Sequence, residues 1–152
     1  MFAALERLRP LARSARALAT LTPRLPGAAL GGVPGVVRAL AGDRPNGAAI
    51  RTLEGTLTWA EVEREADRRA AFWRTQGLNP GDAVALLLGN RAEVLLQQLA
   101  LGRIGAIGAL VDHTLRGRGL QHTLDAARAR AVVVDAEGAQ AIASIRFRGA
   151  LG

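Results

Sequence analysis

Six consecutive apolar residues, Ala83-Val84-Ala85-Leu86-Leu87-Leu88, follow the turn sequence Asn79-Pro80-Gly81-Asp82. Successive side chains of a strand point to opposite faces, so a strand that is apolar at every position has to be covered on both sides. This excludes a one-sided sheet open to water and requires helices above and below. The flanking sequence supplies them. Arg91 to Arg103 reads as a helix, Ala106 to Val111 as a second such strand, Gly119 to Arg128 as a helix, Ala131 to Val134 as a third strand and Glu137 to Ile145 as a last helix. Strand alternating with helix implies right-handed crossovers and a parallel sheet.

Upstream, Ala48 to Leu53 reads as a strand, Glu54-Gly55 as a tight turn and Thr56-Leu57 as the return strand of a short hairpin. Thr58 and Glu61 have the spacing of a capping box, in which the hydroxyl and the carboxylate each satisfy a backbone amide. The helix that starts there carries Trp59, Val62, Ala66, Ala70 and Trp73 on one face, with Glu63, Arg64, Asp67 and Arg68 elsewhere, and Gly77 ends it. The expected class is α/β: a partial, mainly parallel sheet with flanking helices, preceded by a basic helical arm.

The charge is uneven along the chain. Residues 1–40 hold six arginines against Glu6 alone, 6 − 1 = +5, whereas residues 41–152 hold fourteen arginines and twelve acids, 14 − 12 = +2. Within the arm, Phe2, Leu5, Leu8, Leu11, Leu18 and Leu21 recur at mostly helical spacing between Arg7, Arg9, Arg13 and Arg16, with a break at Pro10. Such a cationic amphipathic segment suits an anionic membrane surface, or a helix packed on its own protein. The uncharged stretch from Leu25 to Val37 is too short, and too interrupted by Pro26, Pro34 and glycines, to span a bilayer. Three units are expected: a basic arm with a Gly/Pro linker over 1–41, a partial domain over 42–146 that begins in the turn sequence Gly42 to Gly47, and an atypical tail over 147–152.

Several chemistries are excluded by residue type. The chain has no cysteine, hence no disulfide and no thiol chemistry, and all twenty basic residues are arginine. Gly102, Gly105 and Gly108 do not have the dinucleotide fingerprint spacing, and no Gly-rich loop ends in Lys-Ser/Thr. Ser14 and Ser144 lack a nucleophile-elbow context. Ligands of open α/β sheets bind beyond the carboxyl ends of strands, which here present Gly89-Asn90, Asp112-His113-Thr114 with Arg116 and Arg118, and Asp135. Asp112 and His113 admit two readings, an acid–base pair or arginine-assisted anion site, and a simple cap of the following turn. His122 lacks the neighbours of a metal site and reads as a helix-surface residue. Arg116-Gly117-Arg118-Gly119 reads as a solvated turn before a helix. The near-balanced charge of the sheet region, and the placement of Trp59, Phe72 and Trp73 on a helix, argue against nucleic acid as a partner.

A longer pattern is more specific. Leu57-Thr58-Trp59-Ala60-Glu61, Ala66-Asp67-Arg68, Gly77, Gly81-Asp82-Ala83-Val84-Ala85, Asn90-Arg91-Ala92-Glu93, Gly105-Ala106 and Leu115-Arg116-Gly117 occur in this order. Together they resemble the opening of the adenylate-forming acyl-CoA synthetase superfamily over about residues 43 to 145. Ala109 to Val111 and Leu120 to His122 are most similar to the fatty-acid transport protein, or very-long-chain acyl-CoA synthetase, branch. Asp112-His113-Thr114 departs from the Asn-Thr-Asn usual there.

The resemblance implies a parent enzyme that uses ATP, magnesium and coenzyme A to convert a carboxylate to an acyl-adenylate and then to a thioester. It also implies a phosphate loop ending in Pro-Lys, adenine- and ribose-binding motifs, a hinge and a catalytic lysine, none of which this chain contains. No catalytic, cofactor-binding or metal-binding residue is therefore assigned, and no cofactor is expected for the chain alone. The expectation is the front part of a truncated, split or frameshifted ligase, inactive alone. Its expected location is cytoplasmic, peripheral at the inner membrane through residues 1–40, with a complementing C-terminal ligase chain as a second partner. The alternative is a membrane-binding or interaction module.

Overall fold

A computed structural model describes residues 32–53, 55–147 and 149. The leucine and arginine pattern of the arm and Ser14 lie outside the described residues, as does Glu54 of the expected hairpin turn. The elements are α1 (Gly32–Asp43), β1 (Ala48–Arg51), β2 (Thr56–Thr58), α2 (Trp59–Thr75), β3 (Ala83–Leu87), α3 (Ala92–Arg103), β4 (Ile107–Leu110), α4 (Gly117–Ala126), β5 (Ala129–Val134) and α5 (Ala136–Ala143). The first two strands form an antiparallel hairpin, and the other three a parallel sheet in the order β4-β3-β5. The expected α/β class, with its mainly parallel sheet and flanking helices, is the class observed.

The apolar run Ala83–Leu88 occupies the centre of this sheet. All five residues of β3 are buried, and the pleat divides them between two cores. Val84 and Leu86 face Ala70, Trp73, Ala100, Leu101 and Ile104 of α2, α3 and the turn after it, while Ala85 and Leu87 face Leu120, Leu124 and Ala141 of α4 and α5. A third cluster joins Val37 of α1 to Val62 and Ala66 of α2 and Leu96 and Leu99 of α3, with Ile50, Leu57 and Trp59 at its margin. Removing a leucine or valine side chain from water is worth ~1.5–3 kcal/mol. The two faces of one short strand thus anchor four helices.

Helix α2 begins as its sequence indicates. Thr58 Oγ1 accepts from the Glu61 amide (3.3 Å), and Glu61 Oε2 accepts from the Thr58 amide (2.7 Å). The Thr58 backbone amide, helped by the Thr58 hydroxyl, holds the Glu61 carboxyl below its usual range. At the other end Gly77 adopts φ +72°, a conformation that costs glycine little and other residues more.

Three features differ from the sequence reading. Residues 32–41, read as part of a Gly/Pro linker, belong to α1. Pro34 sits in its first turn, where no intrahelical amide is needed. An ideal Cβ on Gly102 would come 3.1 Å from Pro34, so the missing side chain lets α1 lie close on α3. Strand β4, at one edge of the sheet, is not covered on both faces: Ile107 and Leu110 are 54% and 66% exposed. Helix α4 runs two residues earlier at each end than expected, because Arg128 takes a left-handed φ of +50° and sends Ala129 directly into β5.

Helices α2 and α3 are also joined by polar contacts. The Arg103 side chain, only 4% exposed, donates to Glu63 Oε2, to Asp67 Oδ1 and to the Glu63 carbonyl (3.1 Å). Arg38 of α1 donates to the other oxygen of Glu63 (3.1 Å). One turn along, Arg69 binds Glu93 through Nε (2.9 Å) and Nη2 (2.6 Å), and also binds Glu65. Glu93 accepts from Gln97 Nε2 (2.8 Å), and the buried Trp73 indole donates to Gln97 Oε1 (2.8 Å).

Replacing Gln97 with Leu leaves the Trp73 N–H buried without an acceptor, which costs ~1–3 kcal/mol. Urea denaturation should show a lower midpoint with an unchanged slope; an unchanged midpoint would mean that water substitutes for the glutamine. The ionic seam predicts a pH effect as well. Hydrogen bonds from Arg68 and then Arg69 lower the Glu65 pKa. Burial pushes Glu93 up, but Arg69 and Gln97 more than offset it, leaving that carboxyl low too. A carboxylate with a lowered folded pKa stabilises above its unfolded value and loses that contribution as pH falls through the folded one. The melting temperature should therefore drop between about pH 5 and about pH 3, and Arg69→Gln should flatten that drop.

Candidate functional site

The carboxyl ends of β3, β4 and β5 meet at one end of the parallel sheet, where the sequence places Gly89-Asn90, Asp112 to Thr114 and Asp135. Asp135 follows β5 and caps α5. Its Oδ1 accepts from the Gly138 amide (2.9 Å) and its Oδ2 from the Gly89 amide (3.2 Å). These two donors, Gly138 first, hold its carboxyl below the usual range. One carboxylate thus ties the end of the central strand to the start of the last helix. Gly138 permits the approach, because a Cβ there would lie 2.7 Å from the Leu87 carbonyl oxygen.

Asp112 is engaged just as locally. Its Oδ1 accepts from the amide and the hydroxyl of Thr114, both at 2.8 Å, and these contacts lower its pKa. His113 Nδ1 is 4.0 Å from that oxygen, beyond hydrogen-bonding reach, and both side chains are about half exposed or more. Of the two readings left open by the sequence, the turn cap is the one formed; the acid–base pair is not. Arg116 donates to the carbonyls of His113 (2.7 Å) and Leu115 (2.9 Å) and to Glu137 Oε1 (2.9 Å). It fastens the β4–α4 loop to α5, and an acid already faces its guanidinium.

The remaining candidates are dispersed. His122 and Arg118 are exposed on α4, and Arg118 lines a separate cleft with Gln121, Asp125, Ser144 and Arg146. Ser144 Oγ donates to the Ala141 carbonyl (2.7 Å) at the end of α5. The three spaced glycines serve packing: Gly102 and Gly105 back onto Pro34 and Pro80, and Gly108 lies under Gln98, whose Nε2 donates to its carbonyl (2.9 Å).

A magnesium-bound triphosphate needs convergent cations and free backbone amides. At this strand-end surface Asp135 already occupies the Gly89 and Gly138 amides, Asp112 the Thr114 amide, and Glu137 the Arg116 guanidinium, so these groups are not free to hold it. Among the described residues there is no cluster of three or more His, Asp or Glu side chains suited to a metal ion. No described helix is long and apolar enough to cross a membrane.

The sequence reading missed two features. One is the Glu63–Arg103–Asp67 seam, which hides in ordinary amphipathic helix sequence because its partners are 36 and 40 positions apart. The other is an apolar cleft of about 580 Å³ between α1, the hairpin, α2, α3 and β4. Its wall includes Val37, Ile50, Trp59 and Leu99, and its rim Val33, Leu95 and Leu110. Only the unusual exposure of these rim residues, 69%, 53% and 66%, marks it, and exposure is not visible in a sequence.

Comparison with known proteins agrees with this architecture. A family model described as AMP-binding enzyme matches residues 37–150. The medium/long-chain fatty-acid–CoA ligase FadD6 of Mycobacterium tuberculosis is 31% identical over 87 residues, covering 57% of this chain and 15% of that protein. Long-chain fatty acid transport protein 1 of Mus musculus is 29% identical over 115 residues, covering 74% and 18%. A solved fatty acyl-CoA synthetase of Mycobacterium tuberculosis superposes with a TM-score of 0.74 at 23% identity, covering 78% of this chain and 24% of that one. The chain thus spans less than a fifth of the length of these two curated relatives. With the family match running from α1 through β5 to the last described residues, the chain belongs to the AMP-binding enzyme family, and its fold is that of the N-terminal subdomain of adenylate-forming enzymes.

Proposed function

We propose that this chain is the N-terminal scaffold of a long- or very-long-chain fatty acyl-CoA synthetase and has no ligase activity alone. The observation that carries this reading is a family match along residues 37–150 in a chain that covers only 15–18% of the relatives' length. The relatives' names supply the substrate class, a fatty acid activated for transfer to coenzyme A. Full activity in this reading uses ATP and magnesium to form an acyl-adenylate, followed by thioester formation. The residues here have a supporting part. They build the central strand and its two helical layers, while a further ligase segment, on the same or a complementing chain, supplies the groups that grip the triphosphate. Without lysine in its sequence, the chain cannot contribute the ammonium that the family resemblance implies.

A second reading is favoured by the +5 charge of residues 1–40. The arm holds an anionic membrane surface, which would place the protein peripherally at the cytoplasmic face of the inner membrane.

Two assays test the first reading. Purified chain incubated with ATP, magnesium, coenzyme A and long-chain fatty acids should release neither pyrophosphate nor acyl-CoA; turnover above the protein-free background would overturn the supporting role. A chimera in which residues 37–150 replace the matching segment of the mycobacterial ligase FadD6 should form acyl-CoA. A folded chimera that binds ATP yet forms no thioester would count against a ligase origin. For the membrane reading, deletion of residues 1–31, which leaves α1 in place, should abolish sedimentation with anionic vesicles, and raised salt should weaken it, since exposed charges are screened over ~8 Å at physiological ionic strength.

A further inference from the structure

The two sides of β4 are not equivalent. Ile107 and, just past the strand, Val111 donate their amides to the Asp82 and Leu86 carbonyls on the β3 side (2.8 and 3.2 Å). Backbone groups alternate in direction along a strand, so those of Gly108 and Leu110 point away from β3, toward the open edge. There the Gly108 carbonyl accepts from Gln98 Nε2 of α3 (2.9 Å). The Gly108 amide and both backbone groups of Leu110 meet no partner among the described residues. The strand also lacks the devices that usually close an edge: Ile107-Gly108-Ala109-Leu110 holds no charge and no proline, and it pairs with β3 without a bulge.

Both faces of this edge are apolar. On one lies the cleft of about 580 Å³, whose eleven lining residues include no charged side chain and a single polar one, Gln98. Leu110 borders it with Val33 and Leu95, each more than half exposed, and on the opposite face Ile107 is 54% exposed. These features specify an occupant. Alternating free backbone groups call for an extended segment at ladder spacing, and apolar surface above and below calls for apolar side chains on both of its faces, the pattern β3 itself has. A lipid headgroup or a charged peptide side chain finds no ion partner in the cleft.

The other edge is already attended. Phe147 packs against the core under α4 and α5, and an ideal Cβ on Gly149 would come 2.9 Å from the Arg130 carbonyl oxygen, so the chain's own tail lies against β5. The segment matched here is 24% of the solved mycobacterial synthetase. A relative with this fold therefore has much further chain to lay along β4.

We propose that β4 accepts on its open side an extended apolar segment of the remaining ligase chain, which hydrogen-bonds to Gly108 and Leu110 and sets alternate side chains in the cleft. This inference rests on the ligase reading and names the surface by which the two parts of the enzyme join.

Amide hydrogen exchange resolved by residue tests it without a variant. In chain 1–152, Gly108 and Leu110 should exchange about tenfold or more faster, relative to their intrinsic rates, than Ile107 and Val111, which are bonded to the β3 side. In the chimera with the mycobacterial ligase FadD6 all four should be slow. Slow exchange at Gly108 and Leu110 in chain 1–152 alone overturns the proposal, because the edge is then closed by the chain itself or by a second copy. Fast exchange at both positions in a chimera that forms acyl-CoA overturns it and leaves the ligase reading standing. Slowed exchange in a folded chimera that forms none supports the docking and counts against the ligase reading alone. Where the chimera does not fold, chain 1–152 mixed with FadD6 lacking its matched segment takes its place, and unchanged exchange at Leu110 overturns the proposal.

Discussion

Burial of β3 on both faces is the constraint from which the rest of the architecture follows. Val84 and Leu86 look one way and Ala85 and Leu87 the other, so neither helical layer can leave without exposing half of the strand to water. The flanking helices are therefore not independent decorations. Helices α2 and α3 close one face through Ala70, Trp73, Ala100 and Leu101, and α4 and α5 close the second through Leu120, Leu124 and Ala141. The strand pairs on both sides confirm its central position, with β4 on one edge and β5 on the other.

Polar contacts then specify how those layers sit. The Arg103 guanidinium, nearly enclosed, has Glu63 and Asp67 as its acids and Arg38 as a neighbour sharing Glu63. Buried ion pairs contribute less net stability than their geometry suggests, since desolvation opposes the Coulomb gain. Here they join α3 to α2 through Arg103 and α1 to α2 through Arg38. At the far end of the sheet Asp135 performs a comparable structural task by joining the Gly89 and Gly138 amides. The strand-end surface, where a ligand of an open α/β sheet would bind, is occupied by capping interactions of the chain's own.

Legibility differed by type of feature. The Thr58–Glu61 capping box, the stop at Gly77 and the buried face Val62, Ala66, Ala70 and Trp73 were all readable, because each depends on neighbours within a few positions. The motif order that points to the adenylate-forming family was readable for the same reason. Helix α1 was not, since its glycines and Pro34 argue against helix locally, and burial of Val37 against α2 and α3 supplies what propensity lacks. The exposure of β4 was also hidden: its residues are as apolar as those of β3, and only the strand order makes one an edge and the other a centre. In the candidate site, the sequence placed Asp112, His113, Arg116 and Asp135 at the correct end of the sheet but could not say which partner each would take.

The amino-acid order by itself determined the strand–helix alternation, the need for a sheet covered on both sides, the uneven charge and the family, because these rest on local spacing and residue type. Tertiary structure decided the rest. It selected the Asp112 cap over an acid–base pair, paired Arg103 with acids far away in the chain, and left an apolar cleft beside an open edge. Those outcomes depend on which distant surfaces come into contact, and the free energy of burying them is a property of the assembled layers that no single segment carries.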